Sequence, residues 1–454
     1  MSKNREHFGS KVAVIFAMSG SAIGLGNIWR FPYLAGEYGG AAFIVVYILA
    51  SVFLSLPIFL AESIIGRRSG ANTYGAMNLL APGTVWKWIS VLTIISPLII
   101  VSYYSVVGGW SVEYLVRSLG FGFKGLTEAS FSNMFSSFIS SPWAPLLYHT
   151  IFLGMSTFVI MAGVKGGIEK FSNFSIPLLF VLVVVILVYS LTLPGAIEGV
   201  KYMAQPNFSK ITPQVVAAAV GQSFYSLSLG IGTILVYSSY IRKEENLLLS
   251  GIGTAGSDLL FALIAGFAVM SSVFSAGIAP GSGPGLIFES LPHVFSTMSE
   301  HAPIAGGVIA ILFFLSVLIS ALTSAISLLE VGVSYLVEEK GFKRTNAAMT
   351  VFVGTWLLGA LCSLSFGPLS DIKLLGNNIF SLCDKMSSNF LMTLGALLFS
   401  VFVGWKMKRS EVFDEFTNSG TLKFNVWSFP IVYFLIKYIA PITIAVVLLS
   451  GILF

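Results

Sequence analysis

Eleven stretches of this chain are each long and apolar enough to cross a bilayer as a helix, which takes about 20 mostly apolar residues. They fall near residues 11–36, 41–65, 88–117, 147–164, 172–193, 212–240, 248–276, 303–337, 347–366, 376–403 and 428–453. Backbone groups in hydrocarbon find no water, so only helices or closed barrels can span it. A barrel would show alternating segments of about ten residues, and none occur. The expected fold is therefore an all-α polytopic membrane protein with 11 transmembrane helices, residues 1–454 forming one domain.

Composition agrees, with 56 % hydrophobic and 10 % charged residues, against about a quarter charged in a soluble domain. Such a chain cannot cover a water-facing surface, and its partner is the lipid bilayer. The net charge of +5 does not imply nucleic acid, because the basic residues sit in short clusters between apolar runs and form no basic face. The two cysteines, Cys362 and Cys383, lie in or beside spans and read as small buried hydrophobes, with no structural disulfide or metal site expected. His7, His149, His293 and His301 have no ligand spacing, and no Ser/His/Asp set can be assembled, so an enzyme is not expected. The polar N-terminus lacks a small-residue cleavage site, so the first span should be retained.

Lys and Arg set the orientation. With the N-terminus in the cytoplasm, 17 of 25 basic residues fall in inside segments and five fall outside (Arg117, Lys124, Lys201, Lys210 and Lys373). The positive-inside rule favours this arrangement, and an odd number of spans then leaves the C-terminus extracytoplasmic.

Two spans look interrupted at mid-depth. The first contains Gly20-Ser21-Ala22-Ile23-Gly24-Leu25-Gly26-Asn27 and the sixth contains Ser226-Leu227-Ser228-Leu229-Gly230-Ile231-Gly232. Either run alone reads equally well as close helix packing. Together they lead consecutive blocks of five spans, residues 11–193 and 212–403, with 428–453 as an extra helix. Interrupted segments at matching places in two halves point to inverted five-helix repeats with a binding site at the breaks. By contrast, Gly251-Ile252-Gly253-Thr254-Ala255-Gly256 follows a charged loop and runs into a span. It is not a dinucleotide fingerprint, which needs a preceding strand.

Unwound backbone exposes carbonyls to cations and amides to anions. Near the breaks stand Asn27, Ser226 and Asp258, and further on Thr323 and Ser324. A hydroxyl in a membrane helix often only bonds back to the preceding turn. Asp258 is harder to dismiss, since a carboxylate about ten residues into an apolar segment is costly and marks function by default. Glu62 and Glu330 invite the same suspicion, with a place near a cytoplasmic helix end as the plainer reading of each.

Arg5-Glu6-His7 followed by Gly24-Leu25-Gly26-Asn27-Ile28-Trp29-Arg30-Phe31-Pro32 resembles the signature of the neurotransmitter:sodium symporter family, and so do Glu37 with Gly39-Gly40, Glu62 with Gly66-Arg67, Tyr103-Tyr104, Gly221-Gln222 through Gly230, and Leu322-Thr323-Ser324. The resemblance is to the eleven-helix, amino-acid-transporting bacterial members. It implies a multi-pass protein of the cell inner membrane that imports a neutral L-amino acid with two Na+ ions by alternating access. The first sodium site would comprise Ala22, Asn27, Ser226 and Asp258, with the substrate carboxylate. The second would comprise carbonyls of Gly20, Ile23 and Ser320 with the hydroxyls of Thr323 and Ser324. Substrate would meet Leu25, Gly26 and Tyr104 through its carboxylate, and Ala22, Tyr225, Ser226 and Ser228 through its amino group. Ile100, Tyr225, Ile231, Ser324 and Leu328 would wall its side chain.

Monoamine members place an acid at the position of Gly24; glycine keeps room for an amino acid. The walls carry no charge, so the substrate side chain should be neutral and apolar, with a lean towards bulky or aromatic. Many members have asparagine at the Asp258 position, and chloride-dependent ones bind chloride beside it through residues resembling Tyr47, Gln222 and Ser226. A fixed carboxylate there implies chloride independence. The outer gate would use Arg30, but its partner position is Ser387 or Ser388, with Asp384 about one turn earlier as the available substitute. The inner gate would pair Arg5 with Glu338, supported by Ser239 and Tyr240, with Phe8 in place of the usual tryptophan. Gly167 and Pro177 mark a stretch of the fifth span expected to unwind, since proline removes a helix bond. Rival readings are a proton-coupled or exchange carrier on the same fold, and an amino-acid sensor. Monomer and homodimer stay equally open.

Overall fold

The computed structural model describes residues 6–123, 125–278 and 283–453. Apolar helices fill it. α1 (Lys11–Ala22) and α2 (Gly26–Glu37) form one span bent by 56°. α3 (Ala41–Ser69) follows, then the short α4 (Thr73–Leu80), α5 (Lys87–Leu119), α6 (Glu128–Ser140), α7 (Ala144–Met161) and α8 (Val164–Leu191). Next come α9 (Ala196–Ala204), α10 (Pro213–Ser226), α11 (Thr233–Ser238), α12 (Leu247–Ser275), α13 (Ser290–His301) and α14 (Pro303–Lys340). α15 (Arg344–Leu364), α16 (Ile379–Lys406), α17 (Arg409–Thr417) and α18 (Lys423–Leu449) complete the bundle. Among the described residues nine helices are long and apolar enough to cross a membrane, and the α1–α2 pair makes ten. α10 and α11, separated by residues 227–232, occupy the stretch expected as the sixth span.

Local chemistry sets the ends. Ser10 caps α1 by accepting from the Ala13 amide, and Asn246 caps α12 by accepting from the Leu248 and Leu249 amides; side-chain oxygens here satisfy amides that the first turn leaves orphaned. Thr212 with Pro213 opens α10 in the same way. Two glycines of the Gly251-to-Gly256 run serve helix packing: Gly251 lies against Leu56, Phe59 and Leu60 of α3, and Gly253 against Ile15 of α1.

α5 and α14 form the centre. Of their most apolar stretches 67 % is buried, against 17 % for α18, which is therefore peripheral. α14 has 38 residues, about 57 Å at the helical rise, so it projects beyond a bilayer core of about 30 Å. At the end of the bundle that bears the N-terminal segment, the buried Arg67 at the foot of α3 pairs with Glu415 of α17 at 2.6 Å and Lys243 reaches the same carboxylate at 3.1 Å. This ties α3, the loop after α11 and α17 together.

Candidate functional site

Both predicted interruptions are present. α1 stops at Ile23, whose backbone turns extended (φ −73°, ψ 95°), and the Asn27 side chain accepts from the Gly24 amide at 3.1 Å to close the gap. Between α10 and α11 the chain passes through left-handed conformations at Ser228, Gly230 and Gly232. Gly230 is needed for contact as well as for φ, because a Cβ there would lie 2.0 Å from the Met392 carbonyl of α16. The breaks face one another, with the Ser228 hydroxyl donating to the Ser21 carbonyl at 2.9 Å and the Gln222 amide donating to Gly26 O at 2.9 Å.

Asp258 sits between them, 2 % exposed. The Ser226 hydroxyl lies 2.8 Å from each of its oxygens, the Asn27 amide donates to Oδ1 at 2.7 Å, and the Tyr47 hydroxyl lies 3.4 Å from Oδ2. Among the described residues no Lys, Arg or His forms an ion pair with it. A carboxylate buried with neutral donors alone leaves a formal charge for a cation to balance. Its oxygens and Ser226 Oγ are the hard ligands that a hard cation takes, while Asn27 turns its amide nitrogen to them and its Oδ1 to the Gly24 amide.

A second oxygen cluster forms where α14 crosses the end of α1. Thr323 Oγ1 lies 3.4 Å from Ile23 O and 2.9 Å from Ser320 O; Ser324 Oγ lies 3.5 Å from Gly20 O and 3.3 Å from Ser21 O. The Thr323 hydroxyl also bonds back within its own helix, whereas that of Ser324 reaches across, to carbonyls in the last turn of α1. Ser21 continues the contact to Ser327 at 2.8 Å.

Between the clusters lies a cavity of about 30 Å³ lined by Ala22, Gly24, Gly26, Ile100, Tyr104 and Tyr225, and by Ser226, Ser228, Ile231, Ser324, Leu328 and Met392. Ten of the eleven expected substrate contacts line it. Leu25 instead contributes its amide, which donates to the Tyr104 hydroxyl at 3.1 Å. Met392 was not foreseen. An apolar residue on α16 carries no signal of its own, and only the tight approach of Gly230 brings it in. The space holds only a few waters, so an amino-acid-sized guest must displace side chains.

Above Tyr225 a cavity of about 80 Å³ opens, lined by Arg30, Tyr33, Tyr103, Phe380 and Asp384 among others. Arg30 and Asp384 share it without an ion pair; the Arg30 guanidinium lies 4.7 Å above the Tyr225 ring. The Ser387 and Ser388 hydroxyls bond to carbonyls of their own helix, Cys383 O and Asp384 O. At the opposite end of the site, on the N-terminal side, Phe8 is buried against Tyr237 and Tyr240, and its amide donates to Tyr240 O at 3.2 Å. Glu338 accepts from the Asn72 amide and side chain, both at 2.9 Å, and Ser239 lies at the end of α11 beside Tyr240; Arg5 lies outside the described residues. Glu6 accepts from the Val164 and Lys165 amides at 2.6 and 3.1 Å, so the N-terminal segment caps α8 just before Gly167. Pro177 lies inside α8, which is wound here.

Two acids go beyond their expected roles. Glu62 is fully buried and accepts from the Gly230 amide at 2.7 Å, within the second break. Glu330, also fully buried, pairs with Arg344 at 2.6 Å and accepts from the Tyr240 hydroxyl at 2.8 Å. Both act across long sequence separations that no local pattern reveals.

An all-helical membrane bundle, with two broken spans closing on an unpaired carboxylate and on a second nest of oxygens, is the architecture of a secondary transporter. The profile of the sodium:neurotransmitter symporter family matches residues 5–127 and 126–454, and the chain belongs to that family. It is 37 % identical over 444 residues to an uncharacterized sodium-dependent transporter of Bacillus subtilis, YhdH, covering 97 % of this chain and 96 % of the relative. It is 33 % identical to another from Haemophilus influenzae, covering 99 % and 98 %. The crystal structure of MhsT in complex with L-phenylalanine superposes with a TM-score of 0.90 at 37 % identity, covering 99 % of this chain and 100 % of that one. This protein is thus a sodium-dependent symporter and not an enzyme.

Proposed function

We propose that the protein imports a neutral, apolar L-amino acid, with aromatic side chains favoured, driven by two sodium ions and without chloride. The unpaired Asp258 carboxylate carries this reading. One cation would balance it, through Asp258, Ser226, Asn27 and the Ala22 carbonyl, together with the substrate's own carboxylate. The second would sit among Gly20, Ile23, Ser320, Thr323 and Ser324. The apolar walls at Ile100, Ile231, Leu328 and Met392 suit an uncharged side chain, and MhsT, similar over its whole length, was crystallised with L-phenylalanine. The Tyr47 and Ser226 hydroxyls already face a fixed anion, which supports chloride independence.

Coupling is energetically sufficient. One charge crossing 100 mV releases about 2.3 kcal/mol and a tenfold gradient about 1.4. Two ions then supply roughly 7 kcal/mol, on the order of a 10⁵-fold accumulation. The repeats (11–193 and 212–403), the inside N-terminus and an unwinding of α8 between Gly167 and Pro177 complete an alternating-access cycle.

The test is uptake of radiolabelled phenylalanine, tyrosine, tryptophan and leucine into proteoliposomes under an inward sodium gradient, with choline as control. Accumulation of any of them with sodium alone supports the reading. Uptake that follows an imposed proton gradient and ignores sodium favours the proton-coupled rival, for which Asp258 is also the natural carrier. Binding without counterflow identifies a sensor.

A further inference from the structure

Cys362 and Cys383 are the chain's two cysteines, and they stand on facing helices, α15 and α16, with their sulfurs 3.9 Å apart and unbonded. A disulfide needs about 2.0 Å, so its formation requires the two sulfurs, already in contact, to draw closer. The two helix ends are already in register: Ser365 donates to Cys362 O at 2.7 Å and accepts from the Phe380 amide at 3.3 Å. Cys383 lies next to Asp384 and one turn after Phe380, both of which line the cavity beneath Arg30. The backbone then widens into a π-turn at Met386–Leu391, a feature frequent at functional sites. Cys362 is fully buried and Cys383 retains 7 % exposure.

We infer that this pair is a reversible oxidation site whose disulfide pins α16 to α15 and holds the outer gate. Cys383, the more accessible thiol, attacks a low-molecular-weight disulfide as thiolate and releases one thiol. Cys362 then displaces the second thiol from the mixed disulfide. The protein loses two protons and two electrons, and the oxidant becomes two thiols. The orientation proposed above places this end on the extracytoplasmic side, where disulfides persist. The gating half of the inference rests on the transport reading.

Purified protein treated with 2,2′-dithiodipyridine reports the chemistry independently of transport. Release of two thiopyridones per chain without a retained pyridyl adduct demonstrates the disulfide. Unreacted thiols or a lasting adduct on either cysteine overturns the site. Hydrogen exchange across Met386–Leu391 should slow several-fold on oxidation, and sodium-driven uptake should fall several-fold. Both should recover with dithiothreitol and be indifferent to oxidant in C362S and C383S. A disulfide that forms and leaves exchange and uptake unchanged overturns the gate. Slowed exchange in a protein that transports under no condition keeps the site and overturns the transport reading instead.

Discussion

The Glu62 carboxylate of α3 accepts a hydrogen bond from the Gly230 amide at 2.7 Å, inside the break that precedes α11. An unwound break leaves amides without helical partners, so a buried acid from a neighbouring span satisfies one where water cannot. Glu62→Gln keeps an acceptor and should hold most of the stability. Glu62→Leu leaves the amide orphaned, at a cost of about 1–3 kcal/mol. Thermal unfolding in detergent should rank them wild type, glutamine, leucine.

Asp258→Asn removes the charge that a cation would balance while keeping the shape. Sodium affinity should weaken at least about tenfold, or about 1.4 kcal/mol, read as a shift of the sodium activation curve for uptake. Thermal stability should hold or rise, since an unpaired buried charge is gone. A stability loss with unaltered sodium dependence would assign Asp258 a structural role.

Replacing external chloride with gluconate should leave uptake by the unmodified protein unchanged. Tyr47 and Ser226 spend their hydroxyls on Asp258, so no second anion is required there. Collapse of uptake would refute this.

Gly24→Ala places a Cβ 2.4 Å from Ser324 Oγ and 3.0 Å from the Tyr104 hydroxyl. The methyl enters a cavity of about 30 Å³ and also disturbs the second oxygen cluster. Sodium-dependent binding of labelled amino acid should drop by an order of magnitude or more, with the protein still folded by size-exclusion chromatography.

Pro177→Ala would restore a missing helix bond in α8. Transport should slow several-fold with little change in substrate affinity, because the fold and pocket are untouched. An unchanged rate would remove Pro177 from the cycle.

The first break was readable because its small residues and glycines are local in sequence; the oxygen set of Ser320, Thr323 and Ser324 came only with the family resemblance, since a hydroxyl in a membrane helix by itself often just bonds to the preceding turn. Asp258 announced itself by polarity in an apolar run. Glu62 with Gly230 and Glu330 with Tyr240 did not, since each pair joins residues far apart in sequence. The short helices α6, α9 and α13 are too polar or brief to register as spans, and Met392 has no polar atom to draw notice. The outer gate was legible as a question, with Arg30 and Asp384 in one cavity; that Arg30 stacks on Tyr225 required coordinates.

The central space of about 30 Å³ has an electrical consequence. A membrane under voltage is short-circuited by any continuous file of water, along which protons and small ions run downhill. Room for only a few waters, with the Arg30 guanidinium over the Tyr225 ring on one side and Phe8 packed against Tyr237 and Tyr240 on the other, narrows that file to almost nothing. In this closed form the carrier insulates, so the stored voltage is discharged only by ions that complete the cycle.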